Sequence, residues 1–125
     1  MIDRTPRSHI RLAIVAGGVI GTAMRAGIAE VLPVTELPWA TLTVNLTGAL
    51  LLGLLLGAQH NTSATRLAFL GTGVLGSFTT FSTFVVEVLD LRAEPALAVL
   101  YAFVSVTAGL WLARRGMHLT SPEPA

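Results

Sequence analysis

Four long apolar stretches, separated by short polar or proline-containing intervals, set the layout of this chain. Residues Met1 to His9 are polar, with Arg4 and Arg7 followed by Arg11, and the first apolar run then goes from Ile10 to about Leu32. Pro33 and Pro38 bracket a short turn that holds Glu36, and the second run goes from Trp39 to about Ala58. Gln59 to Thr65 reads as a polar loop, Arg66 to Val88 as the third run, and Asp90 to Glu94 as a short charged loop. Pro95, a residue suited to the first turn of a helix, opens the fourth run, which Arg114 and Arg115 close before the short tail Ser121 to Ala125. A membrane crossing takes about 20 mostly apolar residues. The pattern therefore predicts an all-α membrane protein of four transmembrane helices, over about 10–32, 39–58, 66–88 and 95–113, in one domain covering 1–125. A basic start before an apolar run is also the look of a signal peptide, but the first run is long enough to span and three more follow.

The third run is the unusual one. Between Leu67 and Val86 it has no charged residue, yet Gly71 to Phe84 carries Gly71, Gly73 and Gly76, the hydroxyls of Thr72, Ser77, Thr79, Thr80, Ser82 and Thr83, and Phe78, Phe81 and Phe84. Glycine loosens a helix, and lipid accepts no hydrogen bond from a hydroxyl. Such a segment faces protein or water. Taken alone it reads as a packing face bonded to neighbouring helices ahead of a permeation path.

Depth favours the path. Counting from helix ends at about 1.5 Å per residue, Arg25 lies seven positions before Leu32 and Asn45 six past Trp39. Tyr101 and Ser105 lie six and ten past Pro95, and Thr79 to Thr83 lie just beyond the centre of the third run. All four helices thus contribute to one polar layer in the same half of the membrane. The small residues Gly17 and Gly21, and Gly53 and Gly57, recur four apart and read as close-packing contacts.

Composition narrows the chemistry. The 125 residues are 53% hydrophobic and 12% charged, with mean hydropathy +0.72, too apolar for an ordinary soluble domain. The net charge of +1 suggests no nucleic-acid partner, and without cysteine there is no thiol nucleophile or thiolate metal site. His9, His60 and His118 fall in termini or a loop, which argues against a histidine metal site. No nucleophile–base pair appears, so the chain is not read as an enzyme. Glu87 is the only carboxylate candidate in the polar part of the spans and lies near the end of the third. Asn45, the hydroxyls and the positive edges of Phe81 and Phe84 can together replace the hydration shell of a small anion without trapping it. Arginine is uneven: Arg4, Arg7, Arg11, Arg66, Arg114 and Arg115 lie on the side of the termini, while Glu30, Glu36, Asp90 and Glu94 mark the other. By the positive-inside rule both termini are cytoplasmic.

At these residues the chain resembles the Fluc (CrcB) family of fluoride channels. The resemblance rests on Gly17 to Arg25 (GGVIGTAMR), Thr41 to Gly48 (TLTVNLTG) and Gly76 to Phe84 (GSFTTFSTF), with Tyr101 and Ser105 fitting the family's fourth helix. It implies passive export of fluoride through the cell membrane by a dimer of antiparallel subunits with two pores. It further implies that Phe81 and Phe84 line the pore, that Asn45 stands at its vestibule end, and that Thr80, Ser82, Thr83, Tyr101 and Ser105 form a polar track. Gly76 and Thr79 match the positions whose backbone carbonyls hold a central structural sodium ion, exposed by a third helix broken near its middle, at Gly76. Arg25 matches a first-helix arginine of structural or vestibule role. Two features depart from the simplest form of the family. A chain that inserts both ways should have balanced arginines, so this one is expected to pair with a sister subunit of opposite orientation. Gly109, one turn after Ser105, offers no hydroxyl to the track. The rival readings are a small drug–proton antiporter, which needs an embedded acid that the span from Ile10 to Ala29 lacks, and a non-transporting assembly subunit.

Overall fold

A computed structural model describes residues 7–33 and 35–122; Arg4 and the end of the polar tail, 123–125, lie outside them. Four helical spans result, Arg7–Val31, Trp39–Gly57, Ala64–Ala93 and Pro95–Thr120, each long and apolar enough to cross a membrane. No strand occurs among the described residues. The helix starts follow local chemistry. Trp39 begins the second span directly after Pro38, and Pro95 sits in the first turn of the fourth. Ser63 caps the third by accepting the Arg66 N–H at 3.3 Å.

Two boundaries differ from the sequence expectation. The fourth helix does not stop at Ala113 but runs through Arg114 and Arg115 to Thr120. Arginine ends an apolar stretch without ending a helix, since its helix propensity is high. The extension is also held, because the Thr120 hydroxyl donates to the Leu54 carbonyl at 2.8 Å. The third span likewise continues through Asp90 and a 3₁₀ turn, Leu91–Ala93, where a charged loop was expected.

Packing is by close backbone approach. The second and fourth spans share the most extensive contact, and the first packs on the lower half of the third. A Cβ on Gly53 would run into the Ala113 carbonyl, and one on Gly21 into the carbonyl of Val74. In lipid, where burying apolar surface gives little drive, such approach lets van der Waals contact hold the helices together. The fully buried core is small: Val44, Phe78 and Tyr101 are 1%, 2% and 3% exposed. Large side chains such as Val19, Phe103 and Leu110 point outward, as suits a chain surrounded by acyl chains.

The third span is irregular. A turn of α-helix, Ala64–Leu67, passes into a π-helix, Ala68–Leu75, and then into one more helical turn, Gly76–Phe78. Thr79 and Thr80 are extended, with ψ of 158° and 124°, and helix resumes at Phe81. The break lies near the middle of the span, as expected, but at Thr79–Thr80. Gly76 itself is helical, at φ −64° and ψ −27°, because the interaction that opens the helix acts on Thr80.

Gly21→Ala should cost about 1–3 kcal/mol, because the methyl displaces the third span at Val74. A methyl on Gly27 would meet no atom within 4 Å, so Gly27→Ala should be neutral or stabilising by up to about 1 kcal/mol. Thermal unfolding in detergent, comparing the two, measures the difference.

Candidate functional site

The side chain of Asn45 makes the break. Its Nδ2 donates to the Thr80 carbonyl at 2.9 Å, and its Oδ1 accepts the Thr80 N–H at 2.8 Å. The primary amide thus pairs with both backbone groups of Thr80, as a neighbouring strand would. In a continuous helix that N–H would bond the carbonyl of Gly76. The next diversion follows at once: the Thr83 N–H goes to the Thr80 hydroxyl at 3.2 Å, capping the upper half-helix, rather than to the carbonyl of Thr79. The break leaves the carbonyls from Gly76 to Thr79 without their helical partners, those of Gly76 and Thr79 because the N–H groups concerned bond side chains instead. Oxygens of this kind suit a hard cation such as sodium. Among the described residues no cluster of His, Cys, Asp and Glu could hold a metal.

Phe81 and Phe84 follow the break on one side of the upper half-helix. Their ring centroids are 6.0 Å apart, and Phe84 stands 5.5 Å from the ring of Tyr101. Phe81 is 77% exposed. With Asn45, Gly76, Thr79, Thr80 and Ser105 these rings line an open groove of about 380 Å³. Gly48 admits the Thr79 methyl beside it. Gly109 presents its side-chain direction to Leu46 and Ala49 of the second span, 3.9 and 4.0 Å away.

The expected site residues do not all share this groove. Thr83 lies on the other side of the break, where it joins Thr22, Arg25, Thr41 and Thr80 around a second cavity of about 300 Å³. Thr80 is common to both. Its hydroxyl donates to that of Thr83 at 2.9 Å and lies 3.4 Å from that of Ser82. Ser105 donates to the Tyr101 carbonyl at 2.7 Å, so its oxygen rather than its proton is presented.

Glu87 belongs to the polar layer, which its place near the end of the third run did not suggest. One carboxylate oxygen accepts from Thr41 at 2.6 Å and the other from the Tyr101 hydroxyl at 2.8 Å. Three spans are thereby tied at one point. The signal was present: Thr80, Thr83 and Glu87 fall at i, i+3 and i+7, one face of a helix. Glu87 also opens on a larger cavity of about 560 Å³ at the acidic end, shared with Glu36, Asp90 and Glu94.

Comparison with known proteins adds a family to this geometry. The family described as CrcB-like protein, Camphor Resistance (CrcB), matches residues 12–117. A Hyphomonas neptunium protein named fluoride-specific ion channel FluC is 43% identical over 122 residues, covering 83% of this chain and 94% of its own. One of the same name from Beijerinckia indica is 42% identical, covering 87% and 94%. Another from Thermus thermophilus is 39% identical, covering 86% and 92%.

Asn45→Ala leaves two backbone groups of Thr80 without partners, at about 1–3 kcal/mol for each such group. The variant should unfold at lower temperature in detergent, whereas Asn45→Asp, which keeps an acceptor for the N–H but loses the donor, should fall between.

Proposed function

The chain belongs to the CrcB family, and we infer from this and from the groove that it is a fluoride-selective ion channel, not an enzyme. The observation that carries the reading is the grouping of two phenylalanine rings and a tyrosine beside a helix broken within the membrane. The N-terminus of the half-helix Phe81–Asp90 brings a partial positive charge to the level of Phe81. Ring edges add weak, neutral donors. Together they solvate a small anion without a fixed cation to hold it, which is what conduction requires. Fluoride that enters as neutral HF dissociates at cytoplasmic pH, and the anion leaves passively, aided by an inside-negative potential. No coupling residue takes part, so the protein lowers fluoride toxicity by leak alone.

Within this reading Asn45, Phe81, Phe84, Thr80, Ser82, Thr83, Tyr101 and Ser105 form the path, and Arg25 attracts the anion to a vestibule on the far side of the break. Asn45 acts by holding Thr80 open. Glu87 orients Tyr101 and Thr41 by accepting from both. The active unit is an antiparallel dimer in the cell membrane. An ion beside the exposed Phe81 ring would otherwise face acyl chains, and a second subunit closes the groove. The carbonyls of Gly76 and Thr79 would hold a structural sodium ion on the axis between subunits. A bound cation there would supply charge to offset those carbonyl dipoles and fix the break.

Both termini are cytoplasmic. Arg7, Arg11, Arg66, Arg114 and Arg115 are gathered at one end of the bundle, and the described carboxylates are toward the other, where Arg92 also lies. A chain so biased inserts one way, and its antiparallel partner is a sister subunit of opposite bias.

Liposomes loaded with fluoride should empty through the reconstituted channel while chloride is retained. Phe81→Ile and Phe84→Ile should each slow efflux by at least about tenfold, roughly 1.4 kcal/mol on the barrier, with assembly unchanged on size exclusion. Equal chloride efflux would remove the selectivity claim, and parental flux in both variants would make the rings packing. Expressed alone, the chain should show its termini on one side in cysteine-accessibility mapping. Termini on both sides, with full conduction, would rule out the sister subunit.

A further inference from the structure

The fourth helix has a face the channel reading leaves unused. Tyr101, Ser105 and Gly116 turn inward, toward the upper half-helix and the second span. Facing away from them, Leu100, Phe103, Val104 and Leu110 are 57%, 65%, 38% and 53% exposed. From Leu100 to Leu110 this apolar strip rises about 15 Å at about 1.5 Å per residue, the depth of one leaflet of a hydrocarbon core about 30 Å thick.

The strip ends in a change of chemistry. Trp111 is 56% exposed and lies seven residues past Val104, on the same face, and the Arg115 guanidinium stands over its ring, 5.1 Å from the centroid. Arg114, one turn beyond Leu110, is also exposed. Tryptophan belongs at the headgroup boundary, and a guanidinium braced on an indole face is held more rigidly than a free side chain. Arginine matches phosphate as a fork of paired donors. No described carboxylate lies at this end of the bundle to occupy those donors.

We propose that this face binds one anionic phospholipid, its acyl chain along the strip from Leu100 to Leu110 and its phosphate between Arg114 and Arg115. The parts lie in the order that a lipid presents them: chain, interface, headgroup. The length fits one leaflet, and two positive charges against a net negative lipid distinguish the occupant from a zwitterionic one. The site belongs to the leaflet at the arginine end, and its cation–π contact makes it more than the diffuse attraction of scattered arginines.

The chain has two tryptophans, so Trp39→Phe leaves Trp111 as the sole reporter, at the opposite end of the bundle from the replaced ring. Vesicles of phosphatidylcholine are prepared with brominated chains on either phosphatidylglycerol or phosphatidylcholine at equal mole fraction. Trp111 emission should be quenched at a several-fold lower fraction of brominated phosphatidylglycerol, and Arg114→Gln with Arg115→Gln should reduce that preference to near parity. Arg92→Gln, at the acidic end, should leave it unchanged. Equal quenching by both lipids in the parent, or a preference that survives the double replacement, overturns the proposal. Weak quenching by either lipid also overturns it, because the face is then covered by another subunit. Retained fluoride efflux in the glutamine variant establishes that it is folded.

Discussion

Backbone amides inside a bilayer have no water to turn to, and this constraint governs where the chain can depart from a helix. It departs once in mid-membrane, at Thr79–Thr80, and there one side chain supplies what the missing turn would have supplied. Asn45 offers both a donor and an acceptor from a rigid amide, at 2.9 and 2.8 Å. An ionised carboxylate, which only accepts, could not serve both Thr80 groups. Everything near the break follows from that exchange. The Thr80 hydroxyl becomes a cap, the upper half-helix starts anew at Phe81, and the carbonyls from Gly76 to Thr79 lose their usual partners.

The restart also sets the direction of the rings. Phe81 and Phe84 leave the new helix toward the groove, whereas Thr80, Thr83 and Glu87 lie toward the first and second spans. The polar layer is thus divided by the half-helix into a ring side and a hydroxyl side, and Tyr101 touches both, through Phe84 and through Glu87. The lower half of the span, with its π-helix, is held by the first helix through glycine contacts. π-Helices are rare and occur often at functional sites; here one leads directly into the break.

Much of this was legible in the residues. Hydropathy located four spans, and a common depth picked out Arg25, Asn45, Thr79 to Thr83, Tyr101 and Ser105 from spacing alone. The position of the break was less legible, because glycine at 76 is the obvious weak point by propensity while the real cause, Asn45, lies 35 residues away from Thr80. Glu87 stood out as the one carboxylate candidate within the spans, but its place in the polar layer was not legible, for a related reason. Its partners Thr41 and Tyr101 belong to other helices, and no local pattern states that three spans meet there. The fourth helix outran its apolar stretch because hydropathy reports the membrane's edge, not the helix's end.

The separation of charge from the conducting layer carries an evolutionary consequence. On the proposed reading, the arginines that bias insertion sit on the outer turns and loops, several turns from Asn45 and the phenylalanines. A duplicated gene could then exchange a handful of these surface positions and have its product thread the bilayer upside down while every residue proposed for the path stayed the same. Handedness across the membrane and selectivity for the ion would, in such a scaffold, be separately heritable traits.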